Sequence, residues 1–208
     1  ASGPFAEVVV AMHASTSDER VAIHRGTRVR KCHTSRRDAF RSINVDPIAY
    51  VTGDRIEMTT EDYRRRDKGR ALSLRAKFDE RVAIVKFYPG FNPEIIDWYR
   101  QGGYRGLVLE GTGLGHVSRY CFPFIERAID EGVIVVMTSQ CIWGRVNMNV
   151  YETGRDLLSL GVIPLADMLS ETALVKLMWA LGQAKGPEEA KRLLLTDIAF
   201  ELCPRTPY

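Results

Sequence analysis

Only four cysteines, Cys32, Cys121, Cys141 and Cys203, stand among 208 residues. They form no C-x-x-C pair and show no Cys/His spacing that suits zinc, so neither a disulfide framework nor a metal site is expected. Such sparse usage fits a reducing cytoplasm. No apolar run approaches the ~18 residues that a membrane-spanning helix needs. The longest candidates, Val8 to Met12 and Val133 to Met137, have the length and the β-branched content of buried strands. The expectation is therefore a soluble protein with no membrane partner. The hydrolase signatures G-x-S-x-G and H-E-x-x-H are missing, as are internal repeats and low-complexity tracts. The chain opens Ala1-Ser2-Gly3-Pro4, without Met and without a basic-then-apolar leader, and this start leads us to expect a truncated sequence.

What is present is ordinary for a globular chain: 45% hydrophobic and 26% charged residues, enough for one large or two small domains. The net charge of +3 is uneven. Lys and Arg exceed Asp and Glu only in the first 81 residues, with dense stretches from Arg25 to Arg41 and from Arg64 to Arg81. These either attract a polyanion or form solvated faces.

From residue 82 onward the pattern alternates regularly. Val82-Ala83-Ile84-Val85 reads as a strand. A helix follows, with Asn92 as cap, Pro93 at its first position, Ile95, Ile96 and Tyr99 on one face, and Gly102-Gly103 at its end. A second strand covers Gly106 to Leu109. Ser118 then caps a helix carrying Phe122, Ile125 and Ile129, and Gly132 leads into a third strand, Val133 to Met137. The β-α-β-α-β order predicts parallel strands with helices on both faces. Leu174, Leu177, Met178 and Leu181 form a helical core stripe behind a cap at Ser170, and Pro187 opens a last helix. The earlier part reads as strands at Ala6 to Met12 and Val21 to Ile23. A hairpin follows, turning at Thr52-Gly53-Asp54. Three segments are expected: a domain over 1–62 that is marginal for an independent core, a connector over 63–81, and a small doubly wound α/β domain over 82–208.

Two places invite a chemical reading. Gly111-Thr112-Gly113-Leu114-Gly115 follows a strand and precedes a helix, where open α/β sheets bind ligands. A dinucleotide site fails in detail, because the third glycine of G-x-G-x-x-G falls on His116. A small-molecule or interface loop and a plain tight turn remain. Lys31 follows a strand among Arg28, Arg30, Arg36 and Arg37, where like charge and partial burial would both favour its neutral form and suit it to proton transfer. The bland alternative is a solvated lysine. Cys32 and His33 are adjacent and point apart, so they do not form a nucleophile pair. His13 and His24 read as strand residues and Thr196-Asp197 as structural.

The residues themselves resemble a family. Lys31-Cys32-His33-Thr34-Ser35-Arg36-Arg37-Asp38-Ala39-Phe40-Arg41-Ser42-Ile43-Asn44 is similar to the asparaginase segment in which a lysine, a Thr-containing turn and Phe-x-Ser-x-Asn follow one another. Ser139-Gln140-Cys141, Gly144-Arg145-Val146-Asn147-Met148, Tyr151 and Thr153-Gly154 resemble the type I branch. So do Gly161-Val162-Ile163 and Ala166-Asp167-Met168. The stretches Leu109 to Ser118 and Asp167 to Trp179 look like the branch formed by the D-type subunits of archaeal-type glutamyl-tRNA(Gln) amidotransferases.

That resemblance implies an asparaginase-like α/β fold, here with a truncated N-terminal α/β domain, and a threonine amidohydrolase in which Lys31 lands on the catalytic lysine of a Thr-Asp-Lys relay. The family's Thr-Gly-Gly-Thr-like and His-Gly-Thr-Asp-Thr-like strings do not occur in this chain, so the chain alone is expected to be inactive. His116 and Gly113 fall on substrate or interface positions. Cys141 and Glu110 fall on a type I effector site, where Glu110 replaces an arginine and inverts the charge. The resemblance further implies no cofactor in this chain, ATP and Mg used by an E-type partner subunit of the amidotransferase, tRNA(Gln) reached through the complex, and a homodimer. The competing expectations are a cytoplasmic type I asparaginase and an inert tRNA-binding or assembly module on the same fold.

Overall fold

The computed structural model describes residues 3–205. The chain divides into two compact units between Leu74 and Arg75.

The first unit is an antiparallel β assembly, with no helix among its described residues. Strands β1 (Val9–His13), β2 (Val21–Arg25), β5 (Ala49–Thr52) and β6 (Arg55–Met58) form a sheet in the order β1-β2-β5-β6. Thr52 pairs with Arg55, so Gly53-Asp54 make the turn, and Gly53 takes the positive φ of 55° that such a two-residue turn requires. A separate hairpin joins β3 (Val29–Lys31) to β4 (Phe40–Ser42). That hairpin lies inside the basic run, which has no hydrophobic alternation to announce it. Residues 4–6 pair with 64–66 through the Ala6 N–H to Arg64 O and Arg66 N–H to Pro4 O bonds, so the irregular connecting stretch begins after Arg66.

The first basic run is not one uniform surface: Lys31, Arg36, Arg37 and Arg41 are exposed, while other members are taken inside. Arg25 is buried against Glu7, with Nε donating to Oε2 at 2.6 Å. Arg28 is fully buried. Arg36 and Arg41 share Asp38, and Arg37 pairs with Asp18. Of these acidic partners, Glu7 and Asp18 come from distant sequence, whereas Asp38 lies within the run itself.

The second unit holds a parallel sheet of β7 (Val82–Lys86), β8 (Gly106–Gly111), β9 (Ile134–Ser139) and β10 (Ile163–Pro164), in the spatial order β10-β9-β8-β7. Three crossover helices, α1 (Glu94–Gln101), α2 (Phe122–Asp130) and α3 (Glu152–Ser159), pack on one face. Their Ile96, Ile125, Ala128 and Leu157 meet Leu107, Leu109, Val135 and Met137. Helices α4 (Ser170–Gln183) and α5 (Pro187–Leu195) cover the other face, where Leu177, Leu181 and Leu194 meet Val108, Ile134 and Val136. The period-2 alternation along β8 and β9 thus supplies both cores. Both faces are covered, as expected, while the strands run in simple sequence order without reversal.

Three expected caps behave differently. Asn92 serves α1, its Oδ1 accepting the Glu94 N–H at 3.0 Å. Ser118 makes no side-chain capping bond and precedes a 3-10 turn over Arg119–Cys121. Ser170 is the first residue of α4, and its hydroxyl is buried against Thr138 Oγ1 at 2.9 Å, a side-chain partner in place of a capping bond. All four cysteines are free. Burial pushes the Cys121 thiol up to about 11, while Cys32 and Cys141 are exposed. No helix among the described residues is long and apolar enough to cross a membrane.

Candidate active site

In the first unit, Lys31 ends β3 opposite Phe40 and is exposed, so the expected partial burial does not occur. Position, not burial, is what the hairpin gives it. Beyond Lys31 the Cys32 N–H donates to Ala39 O at 2.7 Å, closing the turn. Inside that turn His33 Nδ1 accepts the Ser35 and Arg36 N–H groups at 3.2 and 3.1 Å, a turn-forming role that leaves Cys32 and His33 without the mutual contact a nucleophile pair needs. Asp38 is buried. Burial works against its ionisation, but the bonds from Arg36 and the charges of Arg36 and Arg41 outweigh it and hold the carboxyl below the ordinary carboxylate range.

His24 ties this hairpin to the sheet. Its Nδ1 lies 2.8 Å from Ser42 Oγ, while Nε2 is buried without a hydrogen-bond partner. Burial first, and then the Arg41 charge, lower its pKa from 6.5. The unfolded chain therefore binds a proton that the folded chain refuses as pH falls below 6.5, and stability must fall with it. Denaturant unfolding of the chain between pH 5 and pH 8 is expected to show this slope, and His24→Leu to flatten it; an unchanged slope in the variant would rule His24 out as its source.

In the second unit, the loop after β8 is built by close approach. The Thr112 N–H donates to His116 O at 2.9 Å, and Gly115 and His116 N–H both donate to Thr112 O at 3.0 Å. A Cβ on Gly111 would stand 2.8 Å from His116 N and from Met137 Sδ, and Gly115 sits at φ 101°, so both positions require glycine. Gly113 is exposed, and its carbonyl accepts the Ser139 hydroxyl at 2.6 Å. Ser139 Oγ in turn accepts the Cys141 N–H at 3.1 Å. Gln140 joins two strand ends, its Nε2 donating to Glu110 O at 2.9 Å and also to Phe87 O. The Glu110 carboxylate is largely buried and faces Lys86 Nζ at 3.8 Å. His116 places Nδ1 3.2 Å from Thr153 Oγ1, lays its ring against Tyr151, and leaves Nε2 without a hydrogen-bond partner.

The four residues expected here, Glu110, Gly113, His116 and Cys141, thus share the carboxyl edge of one sheet. Lys31 belongs to the other unit. The structure adds Lys86 and gives Gln140 of the Ser139-Gln140-Cys141 string a role, through partners that lie 24 and 30 or more residues away. Among the described residues no group of three or more His, Cys, Asp or Glu is arranged to hold a metal ion.

Comparison with known proteins extends these observations. Residues 81–194 match the glutaminase/asparaginase C-terminal domain model, and residues 1–64 match the asparaginase N-terminal model. The chain is 56% identical over 202 residues to the D-type subunit of the glutamyl-tRNA(Gln) amidotransferase of Pyrococcus furiosus, covering 97% of this chain and 46% of that relative. Against the corresponding amidotransferase subunit of Thermofilum pendens it is 52% identical over 207 residues, covering 99% and 46%. The chain spans about half the length of the curated relatives it matches. Among solved structures, the thermostable L-asparaginase from Thermococcus kodakarensis is similar, with a TM-score of 0.80 at 36% identity, covering 88% of this chain and 56% of that one. L-asparaginase I from Vibrio cholerae gives 0.77 at 30%, covering 88% and 55%. The architecture is that of an asparaginase-like α/β protein.

Proposed function

This chain belongs to the glutaminase/asparaginase family, and on that premise we propose that it is the lysine-bearing part of a glutaminase that supplies ammonia for converting Glu-tRNA(Gln) to Gln-tRNA(Gln). The observation that carries this reading is the identity of 52–56% with D-type amidotransferase subunits across almost the whole chain, well above the 30–36% with the solved asparaginases. Glu110 supports it. A carboxylate held near Lys86 does not suit an amino-acid carboxylate as effector.

In this reading Lys31 relays the proton that a threonine gives up as it attacks the side-chain amide, and the nucleophile comes from sequence outside these 208 residues. His116 and Gly113 serve the substrate side of a homodimer interface. The E-type subunit of the amidotransferase is the partner that uses ATP and Mg to activate glutamate on tRNA(Gln), in the cytoplasm.

An ammonia assay on the purified chain tests the division of labour. No release from glutamine or asparagine is expected, with or without the E-type partner and tRNA, because an amine base without its hydroxyl nucleophile has nothing to activate. Adding the nucleophile-bearing segment as a separate chain should restore glutamine hydrolysis in preference to asparagine hydrolysis. Steady turnover by the 208 residues alone, abolished by mutating a residue within them, would show that the nucleophile is in this chain.

A further inference from the structure

Asp38 is the one acidic residue between Arg25 and Val45, and it is not part of the Thr-Asp-Lys relay that the family resemblance supplies. Its side chain is 4% exposed among seven basic residues. It accepts Arg36 through both oxygens, Nε to Oδ1 at 2.9 Å and Nη2 to Oδ2 at 2.8 Å, and Arg41 Nη2 to Oδ2 at 2.5 Å. Arg36 belongs to the turn that follows Lys31, and Arg41 to the strand paired with the one that Lys31 ends. One carboxylate therefore fastens the turn to the strand beside Lys31.

We propose that Asp38 is a positioning residue for Lys31: it clamps the 32–39 turn through Arg36 and Arg41 and so fixes where the lysine at its base presents its amine. The inference rests on the reading of Lys31 as a proton relay. Closing a turn does not by itself call for such a clamp. In the same unit, Gly53-Asp54 close the turn between β5 and β6 with both residues exposed. A buried carboxylate is costly unless its bonds are complete and well aimed, and here two guanidiniums complete them. A relay group, by contrast, gains from being held to within a fraction of an ångström, since small displacements of reacting atoms cost large factors in rate.

The test uses the enzyme complete with its nucleophile-bearing segment. Asp38→Asn keeps the shape and removes the charge. It is expected to lower kcat per folded molecule by roughly 10- to 100-fold, with KM within about twofold because the clamp touches no substrate. Arg36→Gln with Arg41→Gln should give a similar loss, and adding Asp38→Asn to that pair should cost little more, since all three changes break one unit. Near-normal kcat in Asp38→Asn while Lys31→Ala is inactive would overturn the positioning role and leave the relay reading intact. A loss that follows only the fraction of folded enzyme, measured by circular dichroism, would overturn it too. An active Lys31→Ala would overturn the relay reading and this inference with it.

Discussion

Lys31→Ala, in the enzyme complete with its nucleophile, is expected to lower glutamine turnover by about 10²–10⁴-fold, the range that general acid–base groups supply, while KM changes little. Lys31 is exposed at the end of β3, so truncation leaves the backbone pairing of Arg30 with Arg41 and of Val29 with Ser42 in place and removes no buried contact. Folding should therefore survive, and circular dichroism can confirm it. Lys31→Arg is the sharper variant. It keeps a positive charge, but a guanidinium does not release its proton in a protein, so a relay would fail where an electrostatic contact would persist. Steady-state kinetics on both variants decide the matter: near-normal kcat in Lys31→Ala would show that the lysine has no part in proton transfer. Recovery in Lys31→Arg would point to charge alone.

The largest stability effect is expected at Glu201. Its carboxylate is buried and paired with Lys176, and it also accepts the Ile198 N–H at 3.1 Å and the Ala199 N–H at 2.5 Å. Lys176 Nζ donates further to Thr196 O at 2.5 Å. Together these bonds hold the segment after α5 onto α4. Burial opposes the ionisation of Glu201, but the bond and charge from Lys176 prevail and lower its pKa, while burial and the nearby Glu201 charge raise that of Asp197. The folded pKa of Glu201 lies below its unfolded value. Its contribution is therefore complete above the unfolded carboxylate range and is lost as pH falls through the folded value.

Glu201→Gln removes the carboxylate bonded to the Lys176 ammonium and leaves only the charge of Asp197 nearby, and breaking a buried pair from one side costs up to about 3–5 kcal/mol. For a chain of this size that corresponds to a fall in Tm of roughly 10 °C. Lys176→Met with Glu201→Leu removes both charges and should recover part of the loss. Thermal unfolding of the three proteins at neutral pH checks this. A Tm for Glu201→Gln within about 2 °C of the parent would mean that the Glu201 charge is not needed there, water or Asp197 compensating Lys176 in its place.

The second unit was legible in the sequence because its determinants are local. Alternating runs such as Leu107-Val108-Leu109, glycine stops at Gly102-Gly103 and Gly132, and the Leu177 and Leu181 stripe each report on residues within one or two turns of themselves. The site residues on its edge were legible in part. Gly111 to His116 follows directly from a strand end and Gln140 lies in the Ser139-Gln140-Cys141 string, whereas the Lys86 pairing and the bonds of Gln140 are not written locally, because each is defined by a strand that is a neighbour in space and not in sequence.

By itself, then, the sequence determined the order of elements in the parallel sheet, which faces are apolar and, through family resemblance, the lysine to examine. Only the tertiary structure decided which charges of the basic run are paired. Arg25 to Arg41 has the composition of a solvated or polyanion-binding surface, and within it Arg25 is buried against Glu7, Arg37 pairs with Asp18 and Arg41 with Asp38, while Lys31 stays exposed. Ser118 and Ser170 carry the same point in the second unit: both have the residue type of a cap, and neither caps, Ser170 because Thr138 from another strand offers its hydroxyl a buried partner. The reason is physical. Hydrophobic periodicity is written along the chain at short range, whereas the partner that satisfies a charge or a hydroxyl can come from any segment that folding brings within hydrogen-bond reach.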